Sequence, residues 1–300
     1  MKKIKAVIVG YGNIGKSVYE ALSAAPDMET VGVILRDAST AKAKGVPEEL
    51  KVAENIKDLE FPDVALLCIP SRSVPDTAIE YLNWGIHTVD SYDVHSDLFD
   101  VRERLDAICK TALAVAILGA GWDPGTDSMI RAILEVAAPK GLTYTNFGPG
   151  MSMGHTVAAK SKPGVKNALS MTIPAGTSLH RRMVYVQPEE NADFSKITAA
   201  IKSDPYFSND DTHVILADDI DALQDKGHGV NLTRKGVAGT TDNQLFEFNM
   251  RIHGPALTAQ IMVASARAAT RQRSGCYTLL EIPIIDMMLG DREGIIRRLV

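Results

Sequence analysis

The chain has 300 residues, of which 45% are hydrophobic, 23% charged and 6% aromatic, and its formal net charge is −5. This length predicts about two domains. No run of like charges forms a basic patch, which argues against nucleic acid and anionic membranes as partners. The longest apolar run, 112–121, is too short for a membrane-spanning helix, which needs about 20 residues.

The start of the chain does not have the pattern of a secretory signal. Lysines precede the apolar run Ala6–Val9, but this run is shorter than a signal's hydrophobic region and leads directly into glycines. Cys68, Cys109 and Cys276 have neither disulfide nor zinc spacing and are expected to be small buried side chains. We therefore expect a cytoplasmic protein without a metal centre.

A glycine-rich turn follows the first predicted strand. The β-branched run Ile4–Val9 leads into this turn, then into a helical pattern ended by Pro26, and a second apolar run follows at Val31–Leu35. In that context GxGxxG spacing predicts a dinucleotide site, because its glycines turn the chain, admit a pyrophosphate and let helix pack on strand. The residues of the turn are Gly10, Tyr11, Gly12, Asn13, Ile14 and Gly15.

Arg36 and Asp37 follow the second predicted strand, where dinucleotide sites contact the adenosine ribose. An arginine there accommodates the 2′-phosphate of NADP, whereas a carboxylate binds the ribose 2′-hydroxyl of NAD. Arg36 favours NADP. The alternative is that Arg36 is a solvated side chain and Asp37 binds the ribose.

Further short apolar runs predict strands at Val64–Ile69, Ile86–Val89 and Leu113–Leu118, separated by helical or loop segments. This alternation is typical of a doubly wound parallel sheet, the Rossmann arrangement. Ligands of such sheets bind beyond the carboxyl ends of the strands. The segments at those ends are Pro70-Ser71-Arg72, Asp90-Ser91-Tyr92-Asp93 and Gly119-Ala120-Gly121-Trp122-Asp123-Pro124-Gly125.

Asp93 and Asp123 therefore follow adjacent strand ends, where a nicotinamide should lie. Carboxylates there suit a cationic substrate group. An aspartate before Pro-Gly is also a common turn residue or helix N-cap, and a helix is predicted at 126–138, so a structural role for Asp123 stays open. The two carboxylates together, with Trp122 as a flat apolar wall, favour an amine-binding pocket.

The second half of the chain loses the strand–helix alternation. Period-2 patterns there predict a sheet with one wet face, in an α+β substrate and dimerisation domain with an open mixed sheet. The glycine-rich segments Gly148–His155 and Gly227–Gly229 are predicted to be flexible loops. The predicted strands are Leu142–Phe147, Ala168–Ile173, Arg182–Val186, His213–Leu216 and Leu245–Ile252.

A long helix is predicted at Pro255–Arg273, with Leu257, Ile261, Ala264 and Ala268 on its core face. The predicted domains are thus a dinucleotide-binding domain at 1–122, a substrate-binding and dimerisation domain at 123–254, and a C-terminal helix and tail at 255–300. We expect the tail to pack back on the nucleotide domain.

Six segments together resemble the meso-diaminopimelate dehydrogenase family. The resemblance runs nearly end to end, and its tryptophan motif and Gly-Pro-Gly loop are its most specific parts. It implies a homodimeric, NADP-dependent enzyme that reversibly deaminates the D-centre of meso-2,6-diaminopimelate to L-2-amino-6-oxopimelate and ammonia. The segments are Val9–Gly15, Val89–His95, Gly121–Gly125, Phe147–His155, His180–Arg182 and Ser274–Glu281.

The resemblance also implies roles for individual residues. Asp93 and Asp123 would contact the reacting ammonium, and Trp122 and Phe147 would shape the pocket. Five residues would hold the carboxylates and the distant L-centre: Met153, Gly154, Thr172, Arg182 and His228. Nucleotide contacts would come from Tyr11, Gly12, Asn13, Ile14, Leu35, Arg36, Asp37, Ile69, Pro70, Ser71, Arg72, Ser91, Tyr92 and Asp93.

Two positions depart from the family pattern, and one segment resembles that of a subgroup. Gly254 stands where members usually carry a substrate-binding asparagine before a proline, and Asp37 stands where many have a second arginine. The segment between Thr172 and His180 is short, which resembles the subgroup that accepts a wider set of D-amino acids. A broader D-amino-acid dehydrogenase is therefore one alternative.

Two other functions are compatible with a nucleotide domain of this kind. A sugar, polyol or semialdehyde dehydrogenase often uses a lysine or histidine acid/base near the nicotinamide, and no lysine follows these strand ends. A non-catalytic NADP-binding sensor would not need the paired carboxylates.

Overall fold

The computed structural model of the chain describes residues 3–223 and 228–300. These residues form two compact units, one containing the described residues up to Met129 together with Pro255–Val300, and the other Ile130–Gly254. The domain limits 1–122, 123–254 and 255–300 stay a prediction. No helix in the described part of the chain is long and apolar enough to cross a membrane.

The first unit contains a parallel sheet whose strands are short apolar runs. Strands such as Val64–Leu67 are wholly buried, as expected when helices cover both faces of a parallel sheet. The strands are β1 (Ile4–Val9), β2 (Met28–Ile34), β3 (Val52–Ala53), β4 (Val64–Leu67), β5 (His87–Asp90), β6 (Val115–Ile117) and β14 (Gly275–Tyr277). Their order, β14-β6-β5-β4-β1-β2-β3, with parallel pairing throughout, confirms the doubly wound fold.

The helices of this unit mostly follow the predicted pattern, with one correction at the start of β6. Leu113, predicted as the first residue of a strand, instead ends the preceding helix with a left-handed φ of 56°. The helices are α1 (Asn13–Ser23), α2 (Ala41–Lys44), α3 (Val74–Asn83), α4 (Leu98–Ala112), α8 (Gly254–Ala269) and α9 (Arg292–Leu299).

Helix α8 is shorter than predicted, and its core face is wider. Ala268 is fully buried, and Ile261 and Ala264 are half-buried and pack against the core of the sheet, whereas Leu257 is half-buried outside this cluster. Small and medium side chains form most of the buried face. Those that pack in one cluster with the sheet residues Ile8 and Ile117 are Ala259, Met262, Val263, Ala266, Ala268 and Ala269.

The second unit has two sheets where the sequence predicts one. Its strands are β7 (Lys140–Phe147), β8 (Gly150–Met151), β9 (Val165–Gly176), β10 (Leu179–Pro188), β11 (Asp211–Leu216), β12 (His228–Ala238) and β13 (Asp242–Ile252), and its helices include α5 (Thr126–Ala137, which begins in the first unit), α6 (Met153–Lys160) and α7 (Phe194–Lys202). The order β11-β10-β9-β8 is a mixed sheet, because β10 and β11 pair in parallel. The order β13-β12-β7 is antiparallel.

Two predicted loops are regular structure. The predicted loop 148–155 contains β8 and the start of α6, and His228 and Gly229 begin the long strand β12; Gly227 lies outside the described residues. A Cβ atom on Gly229 would lie 2.7 Å from the carbonyl oxygen of Met250 on the neighbouring strand. The glycine thus permits close strand approach rather than flexibility.

The segment between Thr172 and His180 is a tight hairpin. Only Thr177 and Ser178 separate β9 from β10, and both have left-handed φ values, 52° and 66°. A two-residue turn in which both residues have left-handed φ values has a backbone twist that matches that of the two antiparallel strands it joins.

Candidate active site

The glycine turn between β1 and α1 has the shape of a phosphate cradle. A Cβ atom on Gly15 would lie 2.3 Å from the carbonyl oxygen of Gly10, whereas one on Gly12 would meet nothing within 4 Å. Gly12 is the N-cap of α1 and provides no side-chain cap for the first N–H groups of the helix. Such an exposed helix N-terminus attracts a phosphate group, so the turn fits a dinucleotide pyrophosphate.

Some predicted nucleotide contacts are limited to backbone atoms. Tyr11 is 4% exposed and Tyr92 is 3% exposed, and both side chains pack in the core of the first unit. Gly12 and Asn13 are exposed and Ile14 is half-buried.

Beyond β2, Arg36 and Asp37 are both exposed. Among the described residues no side chain pairs with the Arg36 guanidinium. Asp37 Oδ1 accepts hydrogen bonds from the Ser39 hydroxyl at 2.6 Å and the Ser39 backbone N–H at 2.9 Å, and these bonds hold the pKa of Asp37 below its usual value. One carboxylate oxygen is thus engaged locally, while the arginine faces solvent.

The loops after β4 and β5 are joined through Ser71 and Asp93. Ile69 and Pro70 lead from β4 into a short 3-10 turn that contains Ser71 and the exposed Arg72. The Ser71 hydroxyl donates to Asp93 Oδ1 at 2.6 Å, and the Asp93 N–H donates to the Ser71 oxygen at 3.3 Å. Asp93 is therefore a half-buried carboxylate in a defined orientation.

Trp122 and Asp123 lie in a loop that closes on itself after β6. The Gly121 N–H donates to the carbonyl of Pro124 at 3.2 Å, and a Cβ atom on Gly125 would lie 1.9 Å from the carbonyl oxygen of Gly121. The Asp123 side chain is 17% exposed, and its Oδ2 lies 3.8 Å from Nε2 of His95. Both Trp122 and Asp123 are half-buried.

The loops that carry Asp93 and Asp123 pack against each other. A Cβ atom on Gly119 would lie 3.4 Å from the carbonyl oxygen of Tyr92, and one on Gly121 would lie 3.6 Å from Cβ of Ser91. Two carboxylates therefore project from neighbouring loops at the carboxyl edge of the parallel sheet. This arrangement suits recognition of a cation and transfer of its proton.

In the second unit, Thr172 and Arg182 are cross-strand partners on β9 and β10. Thr172 is fully buried, and its Oγ1 accepts a hydrogen bond from Nη1 of Arg182. Nε of Arg182 donates to Asp210 Oδ2 at 2.5 Å, and the arginine side chain is 12% exposed. The guanidinium is thus held from two sides.

Phe147 and His228 lie at the ends of the paired strands β7 and β12. The Phe147 N–H donates to Nε2 of His180 at 2.8 Å, and the next N–H, of Gly148, donates to the carbonyl of Gly229 at 2.8 Å. A Cβ atom on Gly148 would lie 2.2 Å from the carbonyl oxygen of Thr172. The Gly-Pro-Gly segment therefore lies against the strand that carries Thr172, and its last residue, Gly150, pairs with Thr172.

Met153 and Gly154 form the first turn of α6, next to the same strand. The Ser152 N–H donates to the carbonyl of Ser170 at 2.9 Å, and the Ser152 hydroxyl is 2.8 Å from Nδ1 of His155. Gly254 is the first residue of α8. The second unit thus contains, on segments distant in sequence, the predicted residues Phe147, Met153, Gly154, Thr172, Arg182 and His228.

Asp210, His155 and His95 are polar residues of these clusters that the sequence did not single out. Asp210 Oδ2 pairs with Arg182 and lies 4.0 Å from Nε2 of His155. His155 belongs to the Gly-Pro-Gly segment, so its motif could have indicated it. Asp210 has no such signal, because its relation to Arg182 exists only when β10 pairs with β11.

Known proteins are similar to this chain in sequence. The family model described as "Diaminopimelic acid dehydrogenase C-terminal domain" matches residues 121–181, and "Oxidoreductase family, NAD-binding Rossmann fold" matches residues 4–109. A meso-diaminopimelate D-dehydrogenase of Bacteroides fragilis is 59% identical over 303 aligned positions, which cover 100% of both chains.

Two solved structures have the same fold along the whole chain. The diaminopimelate dehydrogenase of Corynebacterium glutamicum, in complex with diaminopimelate, superposes with a TM-score of 0.89 at 28% identity over 100% of both chains. An engineered D-amino-acid dehydrogenase bound to NADP⁺ gives 0.89 at 27% identity, also over 100% of both chains. Because the chain is 59% identical to the Bacteroides fragilis enzyme over the whole length of both chains, it belongs to the meso-diaminopimelate D-dehydrogenase family.

Proposed function

We propose that the chain catalyses the reversible, NADP-dependent oxidative deamination of the D-centre of meso-2,6-diaminopimelate. The products are L-2-amino-6-oxopimelate, ammonia and NADPH with one proton, and one water is consumed. The observation that carries the proposal is the pair Asp93 and Asp123 on contacting loops at the carboxyl edge of a nucleotide-type sheet. Full-length identity to a meso-diaminopimelate D-dehydrogenase supports it.

The residues of the first unit fit an NADP molecule. The open cradle at Gly12 would receive the pyrophosphate at the N-terminus of α1, and Arg36 would face the 2′-phosphate. When bound, NADP⁺ supplies the hydride acceptor for the D-carbon. We assign further contacts to the backbones of Tyr11, Asn13, Ile14 and Tyr92 and to the segments 69–72 and 91–93.

Removing the charge of Arg36 should weaken selection of NADP. We expect Arg36→Gln to raise the dissociation constant of NADP about tenfold, the equivalent of one charge-assisted hydrogen bond, and to leave that of NAD within about twofold. Titration of protein fluorescence with each nucleotide measures both. Lys51→Gln, which removes an exposed charge directly before β3, is the matched control. An unchanged ratio of affinities in Arg36→Gln would contradict a role of Arg36 in selecting NADP and would favour the alternative in which Asp37 binds the ribose.

The two carboxylates would bind the ammonium group of the substrate and remove its proton. Asp93 and Asp123 hold the substrate ammonium, and one of them, directly or through water, accepts the proton that leaves it. The neutral amine then loses hydride from its D-carbon, and the carboxylates stabilise the positive iminium. Attack of water on the iminium carbon and loss of ammonia complete the reaction, with Trp122 limiting solvent access.

The second unit offers groups suited to the rest of the substrate. Arg182 pairs well with a carboxylate because its guanidinium is planar and permanently charged. We assign Thr172, Met153, Gly154 and His228 to the carboxylates and the L-centre, and Phe147 to the apolar wall. Gly254 supplies no side-chain amide, so the distant end of the substrate has one polar contact fewer.

One assay tests the proposal. The protein, NADP⁺ and meso-diaminopimelate are mixed at alkaline pH, and NADPH is followed by absorbance. Formation of NADPH with an equal amount of ammonia supports deamination. No turnover with diaminopimelate or with a panel of D-amino acids would contradict it, turnover of polyols would indicate a different dehydrogenase, and NADP binding without any turnover would indicate a sensor.

A broader D-amino-acid dehydrogenase is the second candidate. The two-residue turn at Thr177–Ser178 and the missing amide at Gly254 favour it. In this case, D-amino acids without a second amino-acid centre should be oxidised at rates comparable to that of meso-diaminopimelate in the same assay.

We also propose a homodimer, formed through the outer face of the three-stranded sheet. Leu142, Lys235 and Leu245 are directly paired across β7, β12 and β13, and the two leucines are each 63% exposed. On α5 of the same unit, Ile133 and Val136 are 58% and 83% exposed. Several large apolar side chains exposed on one unit favour an interaction surface there.

Light scattering tests the dimer. We expect a particle of twice 32.4 kDa, and we expect the double substitution Leu142→Asp and Leu245→Asp to shift it toward the single-chain mass. A 32.4 kDa particle for the unsubstituted protein would contradict the proposal.

A reducing compartment such as the cytoplasm is the proposed location. Cys68, Cys109 and Cys276 are all free, and two of them are buried. Cell fractionation followed by the NADPH assay tests this.

A further inference from the structure

Asp90, the last residue of β5, is a buried carboxylate outside the proposed substrate contacts. Its side chain is 0% exposed. Oδ1 accepts two backbone hydrogen bonds, from the N–H of Tyr92 at 2.9 Å and from the N–H of Gly119 at 3.0 Å. The backbone carbonyl of Asp90 accepts a third, from the N–H of Ala120 at 2.7 Å.

These three N–H groups belong to the two loops that carry the proposed catalytic pair. Tyr92 directly precedes Asp93. Gly119 and Ala120 lead into the closed loop that contains Asp123. One residue therefore connects the loop after β5 to the loop after β6 at the point where both leave the sheet.

The second carboxylate oxygen of Asp90, Oδ2, makes no such bond to either loop. Among the described residues no group donates a hydrogen bond to Asp90 Oδ2, which is buried. Burial raises the pKa of Asp90 to about 6, and the N–H bonds of Gly119 and Tyr92 oppose this shift. A buried polar oxygen without a partner costs free energy, so core packing alone would favour an apolar residue. The benefit of the carboxylate lies in its bonds to the two loops.

We infer that Asp90 is a positioning residue, which sets the separation and direction of Asp93 and Asp123 for amine chemistry. The inference rests on the proposed function. It requires an acceptor oxygen at Oδ1, not a negative charge, because its contacts are backbone N–H groups. Misplacing a reacting group by about 1 Å can cost about 100-fold in rate.

Three variants test the inference, with meso-diaminopimelate and NADP⁺ as substrates. Asp90→Ala removes the acceptor and is expected to lower kcat by about 100-fold, with the dissociation constant of NADP within about threefold. Asp90→Asn keeps an acceptor oxygen and is expected to retain kcat within about threefold. Thr88→Val, the matched control, removes a buried hydroxyl without a described partner from the same strand and should leave both constants unchanged.

Each other outcome counts against the inference. An Asp90→Ala protein that retains kcat, or an Asp90→Asn protein that loses as much as Asp90→Ala, would overturn it. So would a loss of NADP affinity in proportion to kcat, because that would indicate general damage. Asp90→Leu replaces Asp90→Ala if the latter does not fold; failure of both to fold would show a purely structural role. An inactive unsubstituted protein, in contrast, would contradict the proposed function.

Discussion

Replacing Asp123 by asparagine is expected to lower kcat for oxidation of meso-diaminopimelate about 1,000-fold, with the dissociation constant of NADP within about twofold. Asparagine keeps the shape of the side chain but cannot accept a proton from the ammonium or balance the charge of the iminium. The Asp123 carboxylate is 17% exposed, so water screens this charge only partly. Steady-state NADPH formation and fluorescence titration with NADP measure the two constants.

A nearby carboxylate provides the control for this substitution. Asp97 lies on the exposed part of the loop after β5, where its Oδ1 accepts a hydrogen bond from the Ser96 hydroxyl. Asp97→Asn removes the same charge and should leave kcat unchanged. Unchanged turnover in Asp123→Asn would exclude a catalytic role and leave the alternative that Asp123 only shapes the turn before α5. Equal losses in both variants would indicate a general effect of net charge.

The placement of site residues at the carboxyl ends of the parallel strands could be predicted from the sequence. The parallel strands are short apolar runs, and the chemistry of this sheet type lies beyond their carboxyl ends, so the sequence alone predicts Asp93 and Asp123 on neighbouring loops. The Ser71–Asp93 hydrogen bond and the Gly119 and Gly121 contacts are consistent with that assignment. The pattern works here because burial on both faces leaves little freedom in where such strands begin and end.

The role of individual glycines could not be predicted from the sequence. The composition around Gly229 predicts a flexible loop, yet this glycine lies in β12, where a Cβ atom would collide with Met250 on the next strand. Leu113 shows the reverse case, an apolar residue that adopts a left-handed conformation at the end of a helix. A glycine in the sequence can permit either a left-handed turn or a close approach between strands. Only the position of the neighbouring strand shows which of the two applies.

Long-range pairs of polar residues could not be predicted either. Asp210 contacts Arg182 only through the parallel pairing of β10 with β11, and the sequence predicted neither the start of β11 at Asp211 nor its partner. Asp90 appeared only as one residue of a strand-end segment. Its two bonds, to Tyr92 and Gly119, depend on the parallel neighbours β5 and β6.

The same added methyl group should have different effects at two glycines of the nucleotide turn. In Gly12→Ala the methyl group enters open space, so the free energy of unfolding should change by less than about 1 kcal/mol. It would, however, occupy the position where backbone must approach the pyrophosphate. We expect the dissociation constant of NADP to rise about 100-fold, or about 2.7 kcal/mol.

In Gly15→Ala the methyl group would lie 2.3 Å from the carbonyl oxygen of Gly10, so the backbone of β1 or α1 must shift. We expect a loss of about 1–3 kcal/mol in the free energy of unfolding, measured by urea denaturation without nucleotide, because overpacking between main-chain atoms cannot be relieved by a rotamer change. Isothermal titration with NADP, carried out on both variants, separates affinity from stability. If Gly12→Ala binds NADP as tightly as the unsubstituted protein, the cradle does not hold the pyrophosphate. If Gly12→Ala loses as much stability as Gly15→Ala, the space above Gly12 is not open in solution, and its weaker binding would then reflect a damaged fold.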